Sequence, residues 1–245
     1  MKQALNGDIT QGYKDSRKLP FRKHVEEYSL FQIAGDITDL SVLDLGCGEG
    51  YYTRRIKQFM AAETMGVDIS SRMIRQAESA ERKNPIGCTY MIHDVATLPF
   101  LKPFDLVVAM YLLNYARTPK ELLDFCKAAH QQLEPNGRFI GFNDNITSDI
   151  SVYETYHQYG FSKQSTPERK EGDPIRYTFY NLDNTVFQCD NYYLHPETYK
   201  TAFEEAGFVD FQWISPILEP SQQNNRYWDH FMSYPPIIAF TARKV

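Results

Sequence analysis

The segment Val42-Leu43-Asp44-Leu45-Gly46-Cys47-Gly48-Glu49-Gly50 decides the fold of this chain. A short, mostly apolar run, Ser41–Leu45, leads directly into three glycines at alternate positions. Glycine permits positive φ in a tight turn and lets a ligand approach the backbone closely. A helix predicted over residues 51–60 would begin there with free N–H groups. The segment therefore predicts a strand, a turn and a helix that hold a ligand; a glycine-rich turn without a ligand is the alternative.

Strands and helices alternate on either side of this turn. Further strands are predicted over residues 63–67, 88–92, 104–110 and 138–142, and helices over residues 70–82 and 119–133. Asp68 or Ser70 can supply the oxygen that caps the first of these helices, and Pro135-Asn136-Gly137 predicts a turn. Because strands separated by such helices form right-handed crossovers, the pattern predicts a mostly parallel α/β sheet.

Two acidic residues follow the next two strands. Asp68 lies about 20 residues beyond the glycines, where a carboxylate accepts hydrogen bonds from ribose hydroxyls. Asp94, at the end of the third strand, can accept from an adenine amino group. A strand-ending aspartate taken alone is more often a helix cap. Three successive strands nevertheless deliver a polar element to one sheet edge, which predicts an adenosyl site there.

At this point the chain resembles the class I S-adenosylmethionine-dependent methyltransferases, over roughly residues 40–145. VLDLGCGEG is similar to the family's first motif, GVDIS to the second, HDVATLPF to the third and FDLVVAMYLLNYA to the fourth. LEPNGRFI resembles its late turn and fifth strand, with Arg138 in place of the usual second glycine. The resemblance implies a Rossmann-like, seven-stranded, mostly parallel sheet with helices on both faces, an N-terminal helical lid and an insertion after strand 5.

The resemblance also implies how S-adenosylmethionine is held, with S-adenosylhomocysteine as the product. The backbone around the glycines would hold the methionine portion, Asp68 the ribose, and the strand-four end the sulfonium. The cofactor positions carried over in this way are Asp44, Gly46, Cys47, Gly48, Asp68, Ile69, Met73, Asp94, Val95, Met110 and Tyr115. Asp44 would orient the methionine portion through its ammonium or a water, and Ile69 and Met73 would pack on the adenine.

A second resemblance concerns the N-terminal segment YKDSRKLPFR, residues 13–22. It is similar to the lid of small-molecule methyltransferases of the toxoflavin-synthase type, which methylate ring nitrogens. The resemblance implies that Tyr13 closes over the cofactor and that Arg17 or Arg22 reaches its carboxylate. A surface helix with solvated basic residues is the alternative.

The chain is predicted to be one domain, residues 1–245. We expect N-terminal lid helices over 1–38, a cofactor-binding core over 39–145, a substrate-covering insertion over 146–194, and a C-terminal helix and strand pair over 195–245. The insertion has no clear periodicity, and a structureless loop of that length is unusual, so we expect it to contain short strands. A helix over residues 196–206 and strands over 208–215 and 236–241 complete the prediction.

No residue is identified as a catalytic base from the sequence. Candidates for a role near the methyl group are Tyr111, Asn114, His157 and His195, although a lone histidine is more often structural. Aromatic side chains, abundant at 17 tyrosines and 16 phenylalanines, can hold a planar ring and favour a cationic transition state. The substrate candidates are Tyr153, Tyr156, Tyr177, Phe179, Tyr180 and Trp228, each of which is otherwise ordinary core packing.

Composition narrows the possible partners. The formal net charge of −5 is spread along the chain, and no Lys/Arg-rich run marks a nucleic-acid footprint, so a small-molecule substrate is expected and a nucleic acid is not. No apolar segment reaches the length of a membrane span or a signal-peptide core. Four cysteines without C-x-x-C spacing favour a reduced, cytoplasmic setting, and six scattered histidines predict no metal site. Oligomeric state is not readable.

Two other classes of protein remain open. A nicotinamide-dependent oxidoreductase would carry G-x-G-x-x-G, whereas the glycines here are spaced G-x-G-x-G. Tyr159 and Lys163 do have the Tyr-x-x-x-Lys spacing of short-chain reductases. A protein that binds an adenosyl ligand without catalysis is the other alternative, although such a protein has no need of both acids.

Overall fold

The computed structural model describes residue 12, residues 15–181 and residues 185–245. The strands of its larger sheet are β1 (Ser41–Leu45), β2 (Glu63–Asp68), β3 (Cys88–Ile92), β4 (Phe104–Met110), β5 (Leu133–Asp144), β9 (Phe208–Ile214) and β10 (Ile237–Lys244). The helices are α1 (Tyr28–Ala34), α2 (Tyr51–Gln58), α3 (Ser71–Lys83), α4 (Pro119–Gln131), α5 (Pro196–Glu205) and α6 (Asp229–Ser233). A π-helical stretch, Arg22–Glu27, leads into α1.

The seven strands lie in the order β3-β2-β1-β4-β5-β10-β9. Strands β1 to β5 pair in parallel, and β10 runs antiparallel to both β5 and β9. Strands β2 and β3 extend the sheet on one side of β1, and β4 and β5 extend it on the other. This reversal of strand order between β1 and β4 opens a crevice at the carboxyl ends of these strands. The predicted mostly parallel, seven-stranded α/β sheet is therefore confirmed.

Alternate residues of the central strands belong to two separate cores, because side chains of a strand point to opposite faces. Val42, Leu106 and Val108 pack under the N-terminal helix and the insertion. Leu43 and Val107 pack on the other face, against α4 and α5. Both faces of the sheet are thus covered, which places the crevice at its edge.

Local signals set several helix starts. Ser70 caps α3 by accepting the backbone N–H of Met73 at 3.3 Å, as predicted. Thr118 caps α4 in the same way, and Pro119 occupies the first turn, where its missing N–H costs nothing. The caps hold the helix termini beside the crevice.

The predicted turn at residues 135–137 forms a bulge inside β5. Leu133 pairs with Phe104, and Arg138 pairs with Leu106, so four residues of β5 oppose one residue of β4. Asn136 takes a φ of +66° there, a conformation that asparagine tolerates. The strand therefore begins before the turn, not after it.

The predicted insertion after β5 contains its own sheet. A 3₁₀ stretch, Ile150–Tyr159, leads into the antiparallel strands β6 (Phe161–Gln164), β7 (Pro174–Tyr180) and β8 (Val186–Tyr192), in the order β6-β7-β8. We call these three strands the small sheet. Within the described part of the chain, no helix is both long and apolar enough to cross a membrane.

Candidate cofactor and acceptor site

A cavity of about 640 Å³ opens at the carboxyl ends of the central strands. Gly46 and Gly48 after β1, Asp68 at the end of β2 and Asp94 after β3 all line it. The three strand ends that the sequence singles out therefore converge on one space. This is the placement that a single adenosyl ligand requires.

The glycine turn is fixed by hydrogen bonds to β2. The N–H groups of Gly46 and Cys47 both donate to the Val67 carbonyl, at 2.8 and 3.0 Å. Gly46 and Gly48 have φ values of +73° and +56°, in the left-handed region that favours glycine. A Cβ added to Gly48 would meet no atom within 4 Å. The N–H groups of Gly46 and Cys47 therefore hold the turn in shape. Because no side chain covers Gly48, a ligand can approach the backbone there closely.

Asp68 binds the turn and the following helix at once. Its Oδ2 accepts the Gly48 N–H at 2.9 Å, and its Oδ1 accepts the Ser70 N–H at 2.8 Å. Burial raises the pKa of this carboxyl, and the two N–H groups oppose the rise. A carboxylate offers about four lone-pair positions, so each oxygen retains the capacity to accept a further hydroxyl. Asp68 therefore fits a ribose.

Asp44 lies beneath the turn and not on the cavity wall. It is buried, and its Oδ2 accepts the Thr53 hydroxyl at 2.7 Å. Its Oδ1 is also buried and has no hydrogen-bond partner among the described residues. Burial raises the pKa of Asp44 to about 6. One oxygen is thus left for a water or an ammonium group, in agreement with the role that the sequence implies.

The predicted adenine end is mixed in polarity. Ile69 is half exposed at 49%, whereas Met73 is buried, and both line the cavity. Asp94 accepts the Ala96 N–H at 3.0 Å, which fixes the carboxylate beside Val95. These residues form an apolar slot with an acceptor at its rim, the arrangement that an adenine with an exocyclic amine needs.

The end of β4 forms the opposite wall. Met110, Tyr111 and Tyr115 line the cavity. Tyr111 has a φ of +66°, which is uncommon for a bulky residue and marks a functional constraint in many proteins. Its hydroxyl donates to Glu26, a fully buried carboxylate that also accepts from Tyr52. The π-helical stretch Arg22–Glu27 is thereby tied to the end of β4.

Beyond β4 the cavity becomes aromatic. The small sheet contributes Phe161, Tyr177, Phe179 and Phe187, and Phe21 from the N-terminal segment completes the wall. Tyr177 and Phe179 stack with centroids 5.6 Å apart, and Phe179 and Phe187 stack at 5.8 Å. The rings form a flat apolar compartment next to the cofactor end.

Comparisons with known proteins agree with this geometry. Residues 42–137 match the family described as a methyltransferase domain. N-demethylindolmycin N-methyltransferase of Streptomyces griseus is 27% identical over 171 residues, which cover 68% of this chain and 68% of that protein. tRNA U34 carboxymethyltransferase of Pseudoalteromonas translucida (strain TAC 125) is 34% identical over 101 residues, 41% of this chain and 30% of that one.

Solved structures reproduce the fold over nearly the whole chain. The CcbJ methyltransferase of Streptomyces caelestis gives a TM-score of 0.67 at 17% identity, covering 100% of both chains. An S-adenosylmethionine-dependent methyltransferase of Clostridium acetobutylicum ATCC 824 gives 0.67 at 16%, covering 96% of this chain and 98% of the other. Residues 42–137 form a methyltransferase domain, and the fold of nearly the whole chain is that of an S-adenosylmethionine-dependent methyltransferase. The chain spans only 30% to 50% of the length of the tRNA U34 carboxymethyltransferases of Pseudoalteromonas and Colwellia that it matches.

The cofactor of this methyltransferase domain is S-adenosylmethionine, as predicted. The residues fit it: the open space at Gly48, the remaining lone pairs of Asp68 and the buried Asp44 Oδ1 each offer what such a ligand needs. The oxidoreductase alternative is not supported. Tyr159 donates its hydroxyl to the Tyr227 carbonyl, and Lys163 is buried in an ion pair, so the two do not form a reductase pair.

Three of the candidates for a role near the methyl group do not line the cavity at the carboxyl ends of the central strands. Asn114 is buried and its amide oxygen accepts the Asp144 N–H at 3.0 Å. His157 is exposed and packs its ring on Tyr180 at 4.3 Å. His195 is exposed and caps α5 by accepting the Glu197 N–H. These three side chains serve the fold; Tyr111 alone among the candidates lines the cavity.

Three of the predicted substrate aromatics are also core residues. Tyr153 accepts from Arg169, and Tyr156 donates to the Tyr234 carbonyl. Trp228 donates its ring N–H to Gln222 from a buried position. Of the predicted substrate residues, Tyr177 and Phe179 line the cavity, because they face inward from β7.

The N-terminal predictions divide in the same way. Tyr13 lies outside the described residues. Arg17 lies 3.9 Å from Glu49 and stacks over Tyr51, away from the main cavity. Arg22 does line the cavity and pairs with Glu26.

The side chain of Cys47 is buried, and its sulfur lies 2.8 Å from the position that a Cβ on Gly66 would take.

Sequence reasoning missed Phe161, Phe187, Asn191 and Arg117, all of which line the cavity. Three of them lie in the small sheet, where strand pairing decides which residues face inward. Alternation over residues 175–179 and 187–191 was the available signal, since alternate residues share a face. The pairing partner of each strand, and so the composition of the wall, was not readable.

Proposed function

We propose that this chain transfers a methyl group from S-adenosylmethionine to a small, planar molecule held in the aromatic compartment. The observation that carries the proposal is the continuity of one cavity, from Gly48 and Asp68 to Tyr177 and Phe179. A donor in the first part and a flat acceptor in the second would meet at the end of β4. The N-methyltransferase of Streptomyces griseus, which by its name acts on N-demethylindolmycin, supports a small acceptor.

The bound cofactor supplies a methyl group on positively charged sulfur, which leaves as a neutral thioether and needs no acid. The chain's own residues bind, orient and exclude water. Well-oriented reactants gain roughly 7–11 kcal/mol of the barrier through positioning alone. Aromatic faces such as Tyr177 also favour the positive charge shared in the transition state.

The acid–base groups at the aromatic end are mostly held by other residues; Asp190, for example, is paired with Arg176. Burial raises the pKa of the Cys189 thiol to about 12, so this group stays protonated. The Tyr111 hydroxyl donates to Glu26, and the Tyr177 hydroxyl donates to Asp144 at 2.5 Å. An acceptor with a lone pair available at neutral pH, such as an amine or ring nitrogen, suits this wall better than one that must first be deprotonated.

A methyl-transfer assay tests the proposal. The protein is incubated with methyl-labelled S-adenosylmethionine and either a panel of planar nitrogen heterocycles or total tRNA, and label is followed by mass spectrometry. We expect label in a heterocycle and none in tRNA. Phe179→Ala should abolish most of this transfer while S-adenosylhomocysteine still binds. Tyr180→Ala is the matched control, because Tyr180 lies next to Phe179 on β7 but does not line the cavity.

Label in tRNA alone would replace the small acceptor with a nucleic acid. Failure of calorimetry to detect S-adenosylhomocysteine binding would overturn the proposal as a whole. If tRNA is the labelled acceptor, a nucleic-acid contact should be sought at the second, shallower pocket. Its basic residues are Arg17, Lys18, Lys23 and Arg55.

A further inference from the structure

The inner face of β7 and β8 is almost wholly apolar. On β7, Ile175, Tyr177 and Phe179 alternate, and on β8 they pair with Asn191, Cys189 and Phe187 respectively. Alternate residues of a strand share one face, so these six side chains lie together. All of them except Ile175 line the cavity. One carboxamide, Asn191, therefore stands on a wall of rings and aliphatic groups.

Asn191 is nine-tenths buried, with 7% of its surface exposed. Its carboxamide makes no hydrogen bond to any residue in the described part of the chain. Neighbouring amides do make such bonds: Gln188 donates to the Thr178 hydroxyl at 3.0 Å, and Asn181 donates to the Thr185 hydroxyl at 3.0 Å, although the buried Asn181 Oδ1 has no partner among the described residues. The oxygen and nitrogen of Asn191 are not among the fully enclosed polar atoms that lack a partner, so they reach the cavity, where a ligand can bond to them.

The position of Asn191 is next to the expected site of transfer. β8 is the edge strand of the small sheet, and it packs against the turn Leu113–Tyr115 that follows β4. Tyr115 and Asn191 line the same cavity. The neighbouring Tyr192 ring is covered by Arg117, whose guanidinium lies 4.4 Å from the ring centroid. The strand end that carries Asn191 is therefore held in place beside the end of β4.

We propose that Asn191 selects the acceptor by its hydrogen-bonding edge, and that the acceptor is a planar molecule with adjacent C=O and N–H groups, as in a lactam. The inference rests on the proposed function. A carboxamide presents one acceptor oxygen and one donor nitrogen side by side. A lactam edge presents the complement in the same plane and satisfies both. A site built to hydrogen-bond its substrate rejects analogues that lack the matching groups, because its own polar groups are then left unpaired.

The test uses three bicyclic probes of one shape: quinolin-2(1H)-one, its N-methyl derivative and 2-aminoquinoline. Their dissociation constants are measured by calorimetry on protein saturated with S-adenosylhomocysteine. We expect the wild-type protein to bind quinolin-2(1H)-one at least tenfold more tightly than the N-methyl compound, since the latter has no N–H to donate to the Asn191 oxygen and its methyl group crowds the carboxamide. Asn191→Leu should remove this preference. Asn191→Asp should shift it toward 2-aminoquinoline, whose protonated edge offers two donors to a carboxylate.

Gln164→Leu is the matched control, because Gln164 is an exposed carboxamide on β6 of the same sheet and does not line the cavity. It should retain the wild-type preference. Equal binding of the lactam and its N-methyl derivative by the wild-type protein, or an unchanged preference in Asn191→Leu, would overturn the proposal. A loss of S-adenosylhomocysteine affinity in Asn191→Leu would place the side chain on the cofactor and also overturn it. Loss of cofactor binding in the wild-type protein is the separate result that defeats the proposed function itself.

Discussion

The carboxylate of Asp68 accepts the backbone N–H of Gly48 at 2.9 Å. The acid at the end of β2 and the glycine turn after β1 are therefore one hydrogen-bonded unit. The carboxylate expected to bind the ribose also fixes the shape of the turn expected to approach the methionine portion. This coupling makes the two sequence signals interdependent, although they lie 20 residues apart.

Substitution of Asp68 should affect cofactor binding more than stability. In Asp68→Ala, the Gly48 N–H loses its partner and the ribose hydroxyls lose their acceptor. Hydrogen bonds to charged groups contribute about 1.5–3 kcal/mol each, so the dissociation constant of S-adenosylhomocysteine should rise at least about tenfold in calorimetry. Asp105→Ala is the control, since Asp105 accepts the Ser41 N–H at 2.8 Å at the opposite end of the sheet. Unchanged affinity in Asp68→Ala would refute the ribose role.

The pH dependence of stability should report Asp44. Its pKa of about 6 in the folded protein exceeds the ordinary value of 3.8. The folded state therefore binds more protons than the unfolded state between these values, and the free energy of unfolding falls as pH rises from 4 to 6. The full effect of about two pH units is on the order of 3 kcal/mol.

Asp44→Asn, which keeps an oxygen for the Thr53 hydroxyl, should flatten this slope. Urea unfolding at pH 4, 5, 6 and 7 measures it for both proteins. If the two curves keep a constant difference across this range, Asp44 does not titrate as described.

The buried ion pair behind the aromatic wall should be essential to stability. Lys163 is fully buried with its Nζ 2.6 Å from Asp144 Oδ1, and Tyr177 donates to the same oxygen. Burial lowers the pKa of Lys163, and Asp144 opposes the decrease. Lys163→Met leaves a buried carboxylate without its cation, so we expect a loss of about 3–5 kcal/mol in urea unfolding.

The double variant Lys163→Met/Asp144→Asn should recover part of this loss, because it removes the uncompensated charge. Lys120→Met provides the comparison: Lys120 forms an exposed pair with Asp124, and such pairs contribute little. A similar, small loss in both single variants would contradict the expectation.

The tyrosines that donate to Glu26 should stabilise the π-helical stretch Arg22–Glu27 against the sheet. Glu26 accepts the hydroxyls of Tyr111 and Tyr52 and pairs with Arg22. Tyr111→Phe should therefore lower the free energy of unfolding by about 1.5–3 kcal/mol and retain measurable methyl transfer. Tyr52→Phe, which loses the same partner from α2, should lower it similarly. Loss of transfer in Tyr111→Phe without loss of stability would instead indicate that the Tyr111 hydroxyl acts on the acceptor.

The sequence predicted the large sheet closely, because its signals are local. Strands β3 and β4 begin and end at the predicted residues, and Ser70 caps α3 as expected. Glycines, strand-ending acids and apolar runs each act within a few residues of their position. The bulge of β5 escaped prediction because only the pairing with β4 shows that the strand starts at Leu133.

The acceptor wall was predicted only in part, because it depends on contacts between distant residues. Tyr177 and Tyr153 are both tyrosines of the same irregular segment, yet only Tyr177 lines the cavity. What separates them is the pairing of β7 with β8, which no short-range pattern encodes. Asn191 is informative only once its burial on the cavity wall is visible, and that is a property of the folded chain.

The small sheet comes from one uninterrupted stretch of chain between β5 and α5. Most of the aromatic compartment proposed for the acceptor is thus encoded in a different part of the chain from the residues expected to hold S-adenosylmethionine. Under the proposed function, we expect recombination or mutagenesis confined to codons 161–192 to change which compound is modified and to leave the glycine turn and its acids untouched. The donor part of the chain would then serve unchanged with different acceptor segments.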